Sequence, residues 1–178
     1  LLEPTRFGGG KSVLINLWST TCRPCLVELK ELADRADDLR GAEIDVLALC
    51  VDGAESGFFD APATAKVLSQ LGFDFSSGGA NAELVHKLQA LSDFVIHDNR
   101  PLPLPSSFLV DASGRVSAIY KGPLSVEQLI EDAHHQQGTY TQRLARSALI
   151  AGHTIEDEHL EQVARQQEVS GRFQWANT

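Results

Sequence analysis

The 178-residue chain contains no methionine and only three cysteines, Cys22, Cys25 and Cys50. Without a methionine, Leu1 is no initiator, and the expectation is a processed form or a domain excised from a longer protein. Any targeting segment would then lie outside the chain. An odd count of cysteines, two of them three positions apart, does not describe a disulfide scaffold. It fits one reactive pair and one spectator. Basic charge is scarce too. Fifteen Lys and Arg against 24 Asp and Glu leave a net charge of −9, which speaks against a phosphate-binding face and so against a nucleic-acid partner. No apolar run approaches the roughly 18 residues of a membrane span, so membrane association would have to come from segments outside the chain.

What is present suits a soluble globular domain. Hydrophobic residues make up 43% and charged residues 22%, an ordinary balance, and the length suits one domain with an appendage and a core that needs no staples. Gly10-Lys11-Ser12 suggests a phosphate loop, but that motif needs a glycine at position 5 and a strand before it. Position 5 is Thr5 and the first strand comes after.

Ser12 to Trp18 is a short apolar run of strand formers. From Pro24 the pattern turns helical, with Leu26, Leu29, Ala33 and Ala36 at three- and four-residue spacing until Gly41. Residues 43–51 form a second apolar strand. This strand–helix–strand opening predicts a parallel pair with a right-handed crossover. A helix is expected over 62–71 with Gly72 as its stop, a short strand at 73–75, a turn-rich loop at 76–81 and a helix over 83–97. The proline-rich stretch 100–105 must be extended or turned. Residues 107–111 and 115–120 read as an antiparallel pair around Ala112-Ser113-Gly114. Ser125 with Gln128 three residues on is a capping-box signal for a helix to about 135. The composition shifts after Gly138. Residues 1–138 are therefore expected to form an α/β domain and 139–178 a helical extension or linker.

The chemistry concentrates at Cys22-Arg23-Pro24-Cys25. A cysteine between a strand and a helix start meets free backbone N–H groups and the positive end of the helix dipole, which favour a thiolate near neutral pH. Pro24 has no N–H to lose there. Two such thiols can exchange with a disulfide in either direction, and only the reduction potential chooses between them. The competing reading is structural zinc, which needs four ligands. There is no second CxxC, and Cys50 with the six scattered histidines makes no ligand pattern. No metal and no cofactor are expected. A peroxidatic cysteine in a Pro-x3-Thr-x2-Cys setting is also a poor fit, since Ile15 and Ser19 stand upstream of Cys22.

The stretch from Asn16-Leu17-Trp18 to Cys25, with Glu28 beyond it, resembles the TlpA/ResA-like branch of the thioredoxin superfamily. So does Leu104-Pro105-Ser106-Ser107-Phe108-Leu109-Val110-Asp111, which is similar to that branch's cis-proline segment. The resemblance covers about residues 4–136. It implies a thioredoxin-like fold, a central mixed β-sheet flanked by helices. It implies an oxidoreductase acting on protein thiols and disulfides, recharged by a thiol redox partner, on the periplasmic or another extracytoplasmic side. Cys22 would attack and Cys25 resolve. Pro105 would face the disulfide and bring the Leu104 backbone to a substrate strand. Glu28 would take the proton of Cys25, the more so because Asn16 stands where thioredoxins proper carry a buried Asp. Trp18 would be the aromatic near the motif that helps to bind substrate. Thr21 departs from the branch, which usually has an aromatic just before the first cysteine. Cys50 reads as a small core hydrophobe. An oxidase or isomerase with the same residues, and a redox-sensing or non-catalytic interaction module of a larger protein, are the alternatives.

Overall fold

The computed structural model describes residues 10–96 and 100–134. The expected extension 139–178 and its boundary at 138 lie outside the described residues. In chain order the elements are β1 (Ser12–Trp18), α1 (Arg23–Asp34), α2 (Ala36–Gly41), β2 (Ile44–Cys50), α3 (Ala61–Leu71), β3 (Ser76–Gly79), α4 (Ala82–Ile96), β4 (Ser106–Val110), β5 (Val116–Lys121) and α5 (Val126–His134). The strands form one mixed sheet in the order β3-β2-β1-β4-β5. β1 pairs in parallel with β2, as does β2 with β3, while β4 runs antiparallel to both β1 and β5. The apolar strand β1 therefore lies at the centre.

Side chains alternate across this sheet and sort the core into two layers. Leu14, Trp18, Val46, Ala48, Cys50, Leu109 and Ala118 point to one side, where Leu29 and Leu32 of α1, Leu39 of α2, Leu68 of α3 and Leu129 of α5 cover them. Val13, Leu17, Leu47, Leu49, Phe108 and Ile119 point to the other, against Leu88, Val95 and Ile96 of α4. The same alternation fixes the polar residues that matter below. Asn16 lies between Leu14 and Trp18 in step, and its register partner on β4 is Ser107, two residues from Leu109. Both therefore face the side of the sheet that α1 covers.

Two expectations are corrected. The helical run from 24 to 41 is two helices, not one. At Arg35 (φ −107°, ψ 22°) the N–H is shared between the carbonyls of Ala33 and Glu31, and the chain turns so that Ala36 and Leu39 still reach the core. The edge strand is Ser76–Gly79 rather than 73–75. Its residues are poor strand formers, but β2 offers an open edge, and Leu47↔Ser76 to Cys50↔Gly79 complete the ladder. Phe73 and Phe75 instead pack into the helix-covered layer. Gly79 is demanded by contact, since a Cβ there would lie 2.6 Å from the ring of Phe59. The expected stop at Gly72 is a left-handed cap (φ 70°) on α3, and the Ser125 hydroxyl accepts from the Gln128 N–H.

The loop after β2 carries a second contact that tolerates no side chain. Gly53 has φ +82°, and a Cβ there would sit 1.6 Å from the Phe58 carbonyl oxygen. Gly57 also has positive φ (+73°) but open space around it. Gly53→Ala is expected to cost about 2 kcal/mol or more, and Gly57→Ala nearer about 1 kcal/mol, because only the first adds a backbone collision to left-handed strain. Denaturant midpoints of the two variants check the order.

Candidate redox site

The site lies at the carboxyl end of β1, where the central strand delivers the chain to the surface. The turn that leaves it closes with the Cys22 N–H donating to the Ser19 carbonyl, 3.1 Å. Cys22 then becomes the N-cap of α1 (φ −85°, ψ 96°), with Pro24 in the first turn. Its sulfur accepts from the Cys25 N–H at 3.3 Å, and its carbonyl accepts from the Leu26 N–H at 3.1 Å. An N-cap normally offers an oxygen to these orphan donors; here sulfur takes that place. No acidic residue stands in the first turn to oppose negative charge. Cys22 and Cys25 form a disulfide with Cα atoms 5.3 Å apart. The two sulfurs are not equivalent. Cys25 is fully buried in the helix-covered core layer, whereas Cys22 is partly exposed at its edge.

Glu28 sits one turn after Cys25 on the face of α1 that meets the sheet, and is 2% exposed. The Asn16 Nδ2 donates to its Oε1 at 2.5 Å, and the Leu124 N–H donates to its Oε2 at 2.7 Å. The same Nδ2 also donates to the Ser107 Oγ at 2.9 Å. Burial raises the Glu28 pKa to about 7; the bonds from Leu124 and Asn16 pull it down and nearby Glu31 pushes it up, but burial dominates. A carboxyl group poised near neutrality one turn from a buried cysteine can hold or release a proton at working pH.

The Leu104–Pro105 peptide bond is cis. β4 begins at Ser106 in register with Leu17, so the segment 104–105 enters the sheet beside the end of β1 that leads to Cys22. Leu104 is partly exposed and packs on both core layers, and Pro105 is buried. Trp18, expected at a substrate surface, is corrected to the core. It is 0% exposed in the same cluster as Cys25, because its position in β1 points it under α1 rather than towards the rim.

Asp52 escaped sequence reasoning. Its Oδ2 accepts from the Thr20 N–H at 2.9 Å and from the Thr20 hydroxyl at 2.5 Å. It ties the loop after β2 to the turn that precedes Cys22. Partial burial would raise its pKa, but bonds from Ser19, Thr20 and Cys50 together outweigh that and hold it below the ordinary carboxylate range. The signal was its place, two residues past the last core-facing position of the strand next to β1. Cys50 is buried and unbridged, and burial pushes its thiol pKa up, which leaves little reactive thiolate.

A match to the AhpC/TSA family spans residues 4–119. The chain is 27% identical over 126 residues to the thiol-disulfide oxidoreductase ResA of Bacillus thuringiensis subsp. konkukian, an alignment that covers 68% of this chain and 61% of that protein. It thus spans about three-fifths of the length of that relative. Among solved structures, a thiol:disulfide interchange protein of the thioredoxin family from Chlorobium tepidum superposes with a TM-score of 0.59 at 21% identity, over 72% of this chain and 83% of the other. A secreted thiol-disulfide isomerase from Corynebacterium glutamicum superposes with a TM-score of 0.52 at 17% identity, over 68% of each chain. With the strand–CxxC–helix unit at the end of its central strand and a mixed sheet like those of its structural neighbours, the chain belongs to the AhpC/TSA family and has a thioredoxin-like fold.

Proposed function

We propose that the chain is a thiol–disulfide oxidoreductase that reduces disulfides of protein substrates through Cys22 and Cys25. The observation that carries this reading is the inequality of the two sulfurs: Cys22 caps α1 at the edge of the core, and Cys25 is wholly buried behind it. In the reduced domain the Cys22 thiolate, held by the Cys25 N–H and the helix end, attacks one sulfur of a substrate disulfide. The S–S bond breaks, the leaving thiolate is protonated, and a mixed disulfide forms. Cys25 loses its proton to Glu28 and attacks the Cys22 sulfur. The mixed disulfide breaks, the second substrate sulfur leaves as a thiolate and takes up the proton that Glu28 gives back, and the Cys22–Cys25 disulfide remains. The backbone of Leu104 beside Pro105 pairs with the substrate's extended main chain. A thiol redox partner then returns the two electrons. The secreted neighbour supports an extracytoplasmic place of action, where disulfide substrates persist.

Equilibration of the domain with glutathione buffers tests this. Two of the three thiols are expected to vanish together, with Cys50 alone still titratable after denaturation. A potential near roughly −270 mV marks a reductase and one near roughly −120 mV an oxidant. A pair with no measurable dithiol–disulfide equilibrium overturns the reading.

A further inference from the structure

Both carboxyl oxygens of Glu28 face nitrogen donors. Oε1 meets the Asn16 Nδ2 and Oε2 meets the Leu124 N–H. This suits a carboxylate, which only accepts. It leaves a proton on either oxygen without an acceptor. The Leu124 N–H is main chain and cannot change its role. The Asn16 side chain can, because its amide carries an acceptor as well as donors, nearly matched in shape. That acceptor is spare: the Asn16 Oδ1 is buried and has no hydrogen-bond partner, while Nδ2 serves both Glu28 and Ser107. A buried carbonyl oxygen left unpaired calls for an explanation.

We propose that the Asn16 amide is a two-state partner of Glu28, turning half a turn about its Cβ–Cγ bond when Glu28 gains a proton. With Glu28 ionised, Nδ2 donates to Glu28 Oε1 and Ser107 Oγ, as observed. With the proton on Oε1, the Asn16 Oδ1 takes the place of Nδ2 and accepts from Glu28. The Ser107 hydroxyl, which can rotate from acceptor to donor, donates to the same oxygen. Asn16 is thus a positioning residue that gives a protonated Glu28 an acceptor, its NH2 then taking the unpartnered place that Oδ1 holds in the ionised state. An aspartate at 16 could not do this, since two adjacent carboxyl groups would share one proton. The charged neighbour acting on Glu28 is Glu31, on the same helix; Cys25 lies one turn back, Asn16 from β1 and the Leu124 N–H from the segment before α5 are the polar groups that meet it, and Ser107 from β4 meets Asn16. A Glu28 pKa near neutrality means that both states are occupied at working pH. The inference deepens the proton-acceptor role of Glu28 given above and rests on Glu28 titrating in the folded domain.

The test is an NMR titration of the oxidised 178-residue chain, in which Cys22 and Cys25 do not titrate. The Glu28 carboxyl carbon and the Asn16 side-chain NH2 signals are expected to move with one common midpoint. The NOE from the Asn16 NH2 protons to the Ser107 Hβ protons is expected above that midpoint and to disappear below it. An NOE that persists while Glu28 titrates overturns the proposal. Asn16→Leu gives a second arm. Because a bond to each form of Glu28 is lost, proton affinity should rise by less than about tenfold; a larger rise means that Asn16 serves the carboxylate alone and overturns the proposal. Unaltered disulfide exchange in Glu28→Gln would remove Glu28 from the catalytic cycle while leaving both of these results intact.

Discussion

Cys25→Ser is expected to arrest the domain as a mixed disulfide with its substrate, and Cys22→Ser is expected to form no such species. The difference follows from burial. Cys22 is the sulfur at the edge of the core, so a partner can reach it, whereas Cys25 has no exposed surface and can attack only what is already bonded to Cys22. In the native pair the second attack is intramolecular. Well-oriented groups reach effective molarities of about 10⁵ M or more, against which free thiol at about 1 mM is no competitor. Removing Cys25 therefore stops turnover after one attack, and the adduct accumulates instead of decaying. Non-reducing electrophoresis followed by mass spectrometry of a domain incubated with a disulfide-containing protein reads the outcome. An adduct on Cys22→Ser and none on Cys25→Ser would reverse the assigned roles.

Glu28→Gln is expected to have opposite effects on turnover and on stability. A positioned general base contributes about 10²- to 10⁴-fold to a proton transfer, so decay of the mixed disulfide at pH 7.5 should slow by about 10²-fold or more in single-turnover mixing. An unchanged rate would leave Glu28 with a purely structural place. Stability responds through linkage. The folded pKa of about 7 lies above the 4.5 of the exposed group, so the folded domain holds the proton more tightly than the unfolded chain does. That contribution is complete below pH 4.5 and is lost as pH rises through 7, about 3 kcal/mol in all. Glutamine has no such titration. It can accept from the Leu124 N–H and donate to the Asn16 Oδ1. The variant should match the parent near pH 4.5 and exceed its stability by about 3 kcal/mol at pH 8, with urea midpoints as the measure. Asp52 and Asp111 do not blur this window. Their folded pKa values are lowered below 3.8, so their contribution is present above that value and is lost only at more acid pH.

Much of the scaffold was legible along the chain because local signals agreed with the tertiary outcome. The SVLINLW and IDVLALC runs are both strands of the centre, buried on both faces, and such strands show as continuous apolar stretches. Pro62 and Gly72 marked the two ends of α3 by local chemistry, and the structure adds the Asp60 side chain as its N-cap. Legibility failed where a distant partner decided the conformation. Ser76-Ser77-Gly78-Gly79 has a turn's composition but becomes a strand, because the edge of β2 completes its hydrogen bonds. The aromatic Trp18 sits two positions before the exposed turn of the motif, yet the alternation of β1 sends it into the core.

The candidate site divides along the same line. Sequence alone determined the reactive group and its local activation: two cysteines across one helical turn, a strand ahead of them, Pro24 in the first turn, and no acid there to oppose a thiolate. All of these are properties of neighbours in the chain. Only the tertiary structure decided which of the two sulfurs is reachable, since that depends on how α1 seats on the sheet. It also decided that Glu28 is stripped of water and raised to about 7, that Asn16 and the Leu124 N–H converge on it, and that Ser107 holds Asn16 in turn. These residues are separated by 12, 91 and 96 positions along the paired bonds. No local pattern encodes such a meeting; it exists because β1 and β4 are adjacent in register and α1 lies across them, where burial, not sequence spacing, sets the charge of a carboxyl group.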